Sequence, residues 1–313
     1  MKNPDVSLIL VTYKEVAELL ACLKTITKAH RSARAKKTPA KKARPPLQPK
    51  IEVIIVDNDA QSRLKSTLAK HFPAKKSPYL RYVKTGANIG FGPANNVGAA
   101  HARGEYLFFL NPDTEMLPGA ITELWSFLER RPRAAIVAPT LLTMEGERYP
   151  DQGSAELTPL TAVAAHSLFH RLWPSNPIAH QYWVRDRDLN KPQQLAVVPG
   201  TAFMIRRSIF EHIGGFDEQF FIYFEESDLC RRVREETGKE VWLIPTAQLK
   251  HIWHAATKDA KYNLIFRESR AKYFQKYYGP VVGGVTEKLL QVGKYEVLAG
   301  AAVLAVVVGF LLY

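Results

Sequence analysis

Short, nearly unbroken apolar runs alternate with helix-period segments through the first third of the chain. Val6–Val11, Ile51–Val56, Leu80–Val83 and Tyr106–Leu110 have strand length and β-rich composition, whereas Ala17–Ile26, Ser62–Phe72 and Pro93–Ala102 carry helical patterns. This alternation predicts βαβ units around a parallel sheet. The stretches VSLILV, EVIIV and YLFFL show no polar alternation, so both faces of those strands are expected to lie under helices. The expected architecture is α/β, an open and mostly parallel sheet flanked by helices.

Ligands of such sheets bind beyond the carboxyl ends of the strands, so the residues just after each run matter most. The first strand ends at Thr12-Tyr13, the second at Asp57-Asn58-Asp59, and Tyr106–Leu110 at Asn111-Pro112-Asp113. Three strand ends therefore place polar or acidic groups on one rim.

Composition narrows the class. A chain of 313 residues, 46% of them hydrophobic, can bury a core without disulfides. Cys22 and Cys230 are far apart and form neither a disulfide framework nor a zinc spacing. The formal charge of +13 implies an anionic partner. Much of it is local, because Lys28–Lys50 holds nine Lys or Arg and no acid, a composition that reads as a solvated, disordered insertion. No helix-turn-helix, zinc-finger or RNP pattern accompanies the charge, so no nucleic-acid partner is expected. Leu298–Tyr313 has 16 residues without a charge, about 24 Å of helix against a hydrocarbon core of about 30 Å, and comes after Lys288 and Lys294. It is read as a C-terminal apolar helix that attaches the chain to the cytoplasmic face of a membrane, with no signal peptide at the start.

Further motifs lie along the chain. Asn88-Ile-Gly-Phe-Gly-Pro-Ala-Asn-Asn96 opens a helical pattern, with Gly90 and Gly92 permitting unusual backbone and Pro93 suiting a first turn. A helix N-terminus there can present N–H groups to an anion. Val198–Arg234 reads VPGTAFMIRRSIFEHIGGFDEQFFIYFEESDLCRRVR, His251 comes after the strand-like Val241–Ile244, and Arg267–Gly279 reads RESRAKYFQKYYG.

In this order the segments resemble the family-2 glycosyltransferases of the GT-A fold, in their rhamnosyltransferase-like form, from about Val6 to Gly279. The resemblance implies a donor site built from Thr12, Tyr13, Asp57, Asn88, Gly90 and Asn111. Asp57 would accept the imide N–H of uracil or thymine while Tyr13 covers the base. Asp113, with His251, would hold Mg2+ or Mn2+, a hard cation completed by diphosphate oxygens and water. Glu226, preceded by Glu225, stands where the family usually has the Asp that takes the acceptor's proton. Gly200, Asp217 and Asp228 fall on the acceptor side. Arg270 is open to two roles, phosphate contact or a solvated face.

The implied reaction is inverting transfer of a rhamnosyl or hexosyl unit from a dTDP- or UDP-sugar to a saccharide or lipid-linked saccharide hydroxyl, beside a membrane surface. Residues 1–279 would form the transferase domain, with the insertion at 28–50 and an irregular acceptor-side lobe at 153–194, and 280–313 the membrane-associating tail. The missing Gln-x-x-Arg-Trp argues against a processive synthase. A sugar nucleotidyltransferase would need a Gly-rich basic loop after the first strand, which Lys14-Glu15-Val16 is not. A noncatalytic nucleotide-sugar-binding protein is the other alternative, favoured by Glu226 and by Asn111 in place of the first metal acid.

Overall fold

The computed structural model describes residues 3–35, 48–252 and 260–291. Its first seven elements are β1 (Val6–Thr12), α1 (Val16–Ala35), β2 (Ile51–Asp57), α2 (Leu64–His71), β3 (Leu80–Lys84), α3 (Phe91–Ala100) and β4 (Tyr106–Leu110), in the predicted order. Helix α1 is driven by a buried stripe of Leu19, Cys22, Leu23 and Ile26 and continues through the start of the basic stretch to Ala35. Residues 36–47 of that stretch lie outside the described residues.

The chain continues with β5 (Thr114–Met116), α4 (Ala120–Arg130) and β6 (Ala134–Leu142), then enters the lobe. Expected to be irregular, the lobe instead holds α5 (Pro159–His166), α6 (Leu168–Leu172), α7 (Pro177–Tyr182) and β7 (Gln193–Leu195). Two of its prolines mark helix starts, not breaks. Pro159 and Pro177 open α5 and α7, and the side chains of Thr158, Ser167 and Asn176 cap the three helices. Beyond the lobe come β8 (Ala202–Arg206), α8 (Arg207–His212), α9 (Glu225–Thr237), β9 (Glu240–His251) and α10 (Ala260–Gln291).

Among the described residues the strands form one sheet in the order β3-β2-β1-β4-β8-β6-β9-β5, with β7 on β9. The sheet is mixed, which corrects the mostly parallel expectation. Strand β1 runs parallel to β2 and β4, β2 to β3, and β6 to β9, whereas β8 opposes both β4 and β6, and β5 and β7 oppose β9. The reversal arises because the chain crosses the lobe after β6 and returns at the rim where β4 ends, pairing Ala202 with Leu110.

Both sheet faces are covered. Leu8, Leu10, Val53, Ile55 and Phe108 pack beneath α1 and α4, while Ile9, Val11, Ile54, Val56 and Phe109 face α3 and the Phe203, Phe210 and Phe216 rings. A third cluster, including Tyr182, Phe220, Phe224, Tyr273 and Phe274, joins the lobe to α10.

The expected attachment to the cytoplasmic face of a membrane through a C-terminal apolar helix is not supported. Among the described residues no helix is long and apolar enough to cross a membrane, and Leu298–Tyr313 lies outside them. The described part of the tail turns back on the domain. Gly279 breaks α10 at φ 77°, and Gly283 passes so close that a Cβ there would stand 3.0 Å from the Gln275 nitrogen. Arg270 does not lie on a solvated face, since its guanidinium grips Glu287 at 2.7 and 2.9 Å in a buried pair that ties the two halves of α10 together.

Gly98 sets the approach of α3 to the sheet, because a Cβ there would fall 2.5 Å from Ile9 Cγ2 and 3.0 Å from Val56 Cγ2. Gly98→Ala is expected to lower stability by about 1–3 kcal/mol through overpacking, read from the urea midpoint.

Candidate active site

The rim begins where β1 and β2 end side by side, with Thr12 paired to Asp57. Asp57 is only 1% exposed. Its Oδ2 accepts from Tyr82 Oη at 2.7 Å and its Oδ1 from the Asp59 amide at 3.3 Å, so the carboxylate is held in place and also closes an Asx turn. Thr12 Oγ1 beside it is buried with no hydrogen-bond partner among the described residues. Tyr13 is partly exposed, with Lys14 in a left-handed conformation and its ammonium 5.1 Å from the Tyr13 ring.

Asn58, not singled out from the sequence as a site residue, organises the next loop. Its Oδ1 accepts from Thr85 Oγ1 at 3.0 Å and the Ile89 amide at 3.2 Å, and its Nδ2 donates to Asn88 Oδ1 at 3.0 Å and the Gly90 carbonyl at 3.1 Å. Gly90 (φ 99°) has to be glycine for a second reason, because a Cβ would strike the Phe221 carbonyl at 2.5 Å. The Phe91 amide donates to that carbonyl at 2.7 Å. Asn96 grips the same distant loop, accepting from the Phe216 amide at 2.9 Å and donating to the Phe216 carbonyl at 2.9 Å and Glu218 Oε1 at 3.0 Å. Of the amides in the Asn88–Asn96 motif, Asn96 thus holds the segment that leads to the acid pair, while Asn88 and Asn95 brace the motif's own loop.

The β4 end joins the same assembly. The Asn111 amide donates to the Thr201 carbonyl at 2.8 Å, and Gly200 lies against Glu226, whose Cγ, Cβ and Cδ would stand 3.4, 3.5 and 3.6 Å from a Cβ there. Strand β5 pairs Thr114 with His251 on β9, which brings His251 Nε2 to 3.2 Å from Asp113 Oδ2. Asp113 Oδ1 and Asn111 Oδ1 are both buried without a hydrogen-bond partner among the described residues. Two such oxygens are suitable ligands for a hard cation. Among the described residues no group of three His, Cys, Asp or Glu forms a self-sufficient cage, so these residues fit a cation completed by other oxygens.

Helix α9 presents the acid pair in its first turn, after Tyr223 and Phe224 in left-handed conformations. Glu225 is 4% exposed, and its Oε2 has no hydrogen-bond partner among the described residues. Burial, then the Glu226 charge, pushes its carboxyl well above the ordinary 4.5. Burial raises Glu226 as well, although its side chain is partly exposed and meets Ser227 Oγ at 3.4 Å.

Asp228, by contrast, is committed to holding the fold. It is fully buried, accepting from Arg232 Nε at 2.7 Å, Tyr277 Oη at 2.6 Å and Lys276 Nζ. Asp217 accepts from Lys276 Nζ at 2.6 Å and from the Gln219 amide at 3.0 Å. Although burial opposes it, those donors hold its carboxyl below the usual range. Burial pushes both thiols, Cys22 and Cys230, up to about 12, which removes them as nucleophiles.

Residues 7–214 match the glycosyl transferase family 2 model, and the chain belongs to that family. It is a glycosyltransferase, and rhamnosyltransferases are among the proteins it is similar to. It is 29% identical over 225 residues to an N-acetylglucosaminyl-diphospho-decaprenol L-rhamnosyltransferase of Mycobacterium tuberculosis, a match spanning 67% of this chain and 69% of the relative. The fold is that of PcManGT, a mannosyltransferase from Pyrobaculum calidifontis solved with GDP-Man and Mn2+ (TM-score 0.54, 15% identity, all of this chain and 82% of that one). GalNAc-T7, solved with UDP, GalNAc and Mn2+, shares it as well (TM-score 0.55, 16% identity), over 81% of this chain but 45% of that longer one.

The raised carboxyls give a stability test. Above the ordinary 4.5 the folded state binds protons at this pair that the unfolded chain has released. Their contribution is therefore fully present below that value and is lost as pH rises toward the folded-state values, at about 1.4 kcal/mol per pH unit for each proton. Glu225→Gln is expected to raise the melting temperature at pH 8 relative to wild type and to narrow or abolish that gain at pH 4, measured by calorimetry across that range.

Proposed function

We propose that the chain is an inverting, divalent-metal-dependent transferase that moves a rhamnosyl or hexosyl unit from a dTDP- or UDP-sugar to a hydroxyl of a saccharide or lipid-linked saccharide. The observation that carries this reading is the continuity of contacts from Asp113 and Asn111 through Thr201 and Gly200 to Glu226. It supports a cation-binding edge and a proton acceptor on one rim. The rhamnosyl group and the diphospho-decaprenol acceptor in the mycobacterial relative's name support the substrate class. Mn2+ in the PcManGT and GalNAc-T7 structures supports the metal.

In this reading Asp57 and Tyr13 receive the base, and the Asn88–Gly90 loop, fixed by Asn58, flanks the diphosphate. Asp113, His251 and Asn111 would hold Mg2+ or Mn2+, which when bound neutralises charge on the nucleotide diphosphate leaving group. Burial keeps Glu225 neutral beyond the usual carboxylate range, so Glu226, the more accessible of the two, carries the pair's charge. Glu226 takes the acceptor hydroxyl's proton as that oxygen attacks the anomeric carbon opposite the departing diphosphate, which inverts the centre. Burial raises its affinity for protons, which suits a group that has to accept one. Residues 1–279 form the transferase unit, with the 153–194 lobe on the acceptor side, where Asp217 and Asp228 act by bracing the acid pair.

Two substitutions separate the roles. Glu226→Gln is expected to keep nucleotide-dependent thermal stabilisation by dTDP or UDP with Mn2+ while transfer falls by about 10²–10⁴-fold. Transfer at the wild-type rate would remove Glu226 as the base. Asp113→Ala is expected to lose the Mn2+-dependent part of nucleotide binding, followed by titration calorimetry with and without the metal.

A further inference from the structure

Helix α10 carries the basic aromatic segment Arg267–Gly279, for which the proposed reaction has no task. One face of it is directed at the loop that precedes the acid pair. Ser269 Oγ donates to the Ile222 carbonyl at 2.8 Å, and Lys272 Nζ to the Gln219 carbonyl at 2.9 Å. Lys276 Nζ bridges Asp217 Oδ2 at 2.6 Å and Asp228 Oδ1. Positions 269, 272 and 276 are spaced by three and four residues, so they line one helical stripe.

Of these contacts only the one from Lys276 reaches α9 itself. Asp217 begins the loop, Asp228 lies two residues beyond Glu226, and between them come the left-handed Tyr223 and Phe224. A single ammonium therefore closes both ends of the segment that aims the acid pair. Asp228 has nowhere to move, being fully buried and also bonded to Arg232 and Tyr277. The Gly90–Phe91 backbone holds the opposite side of the same loop through the Phe221 carbonyl.

We propose that Lys276 is a positioning residue for the transfer step, fixing the first turn of α9 so that Glu226 is presented to the acceptor at a constant height and angle. The proposal rests on the reading of Glu226 as base. Lys276 touches no substrate, so it governs the geometry of proton transfer, to which rates respond steeply, and not the affinity for the donor.

The test uses the full chain with dTDP-rhamnose, UDP-glucose, Mn2+ and N-acetylglucosaminyl-diphospho-decaprenol, comparing Lys276→Met, Lys276→Arg, Asp217→Asn and Lys272→Met. Lys276→Met is expected to lose about 10–100-fold in kcat with donor KM within about twofold of wild type. Lys276→Arg should restore most of the rate, Asp217→Asn should fall between, and Lys272→Met should stay near wild type. Hydrogen exchange of the 217–228 peptide, which needs no substrate, should quicken in Lys276→Met while exchange in α1 is unchanged. An unaltered kcat, a loss shared equally by donor KM, or unaltered exchange in that peptide overturns the proposal. Should Lys276→Met not fold, Asp217→Asn with wild-type kcat and exchange overturns it equally. A wild-type chain that transfers from neither donor counts against the proposed donor and acceptor instead, and the exchange measurement then decides the role of Lys276 alone.

Discussion

The contact on which the site depends is between two backbone groups, the Phe91 amide and the Phe221 carbonyl, 2.7 Å apart and 130 residues distant in sequence. It joins the half of the chain that carries the β1 and β2 ends to the half that carries the acid pair. Gly90 makes it possible, since any side chain there would collide with the same carbonyl. Asn58 fixes the loop from one side and Asn96 grips the partner loop from the other, so neither segment can shift alone. Tyr223 and Phe224 adopt left-handed backbone at a cost of about 1–3 kcal/mol each. The packing of Phe224 on Phe266 and Tyr273 offsets that strain.

Legibility from sequence tracked the range of the interactions involved. Strands β1, β2 and β4 were readable because both their faces are covered, which forces continuous apolar runs. Asp57, Asn111 and Asp113 were readable because a strand end in a parallel sheet is already a location. The direction of β8 was not, since nothing local records that the chain returns from the lobe at the β4 end. The lobe helices were not readable either, because Pro159 and Pro177 look like breaks until Thr158 and Asn176 are seen to cap α5 and α7. Asn96 reaches Phe216 and Glu218 across about 120 residues, and no periodicity encodes such a bond. Arg270 escaped for the same reason, as its partner Glu287 is brought near only by the break at Gly279.

Motif membership also did not separate carboxylates committed to the fold from those left available, and hydrogen bonding does. Asp228 shares a helical turn with Glu226 yet is fully buried with both oxygens bonded, one to Arg232 and the other to Tyr277 and Lys276, so a substrate could reach it only by breaking a buried network. Glu225 has the opposite condition, a buried oxygen with no hydrogen-bond partner among the described residues, which burial and its neighbour drive toward the neutral acid. Only Glu226 combines partial exposure, few hydrogen bonds and a raised proton affinity.

Glutamate at 226, where the resemblance leads one to expect aspartate, then has a structural account. The side chain runs alongside Gly200, with its Cγ and Cδ close to where a Cβ would project. A Cβ at 200 would only touch it at van der Waals distance, so it is a side chain longer than alanine there that would compete for the space the extra methylene fills. Gly200 is itself held by its neighbour, because the Thr201 carbonyl accepts from the Asn111 amide at the end of β4. The longer acid is therefore laid against a fixed backbone that leads back to Asp113, and its added reach is directed along the rim. A longer carboxylate free in solvent would lose that direction to rotamer entropy, whereas one laid against Gly200 gives up little of it on meeting an acceptor.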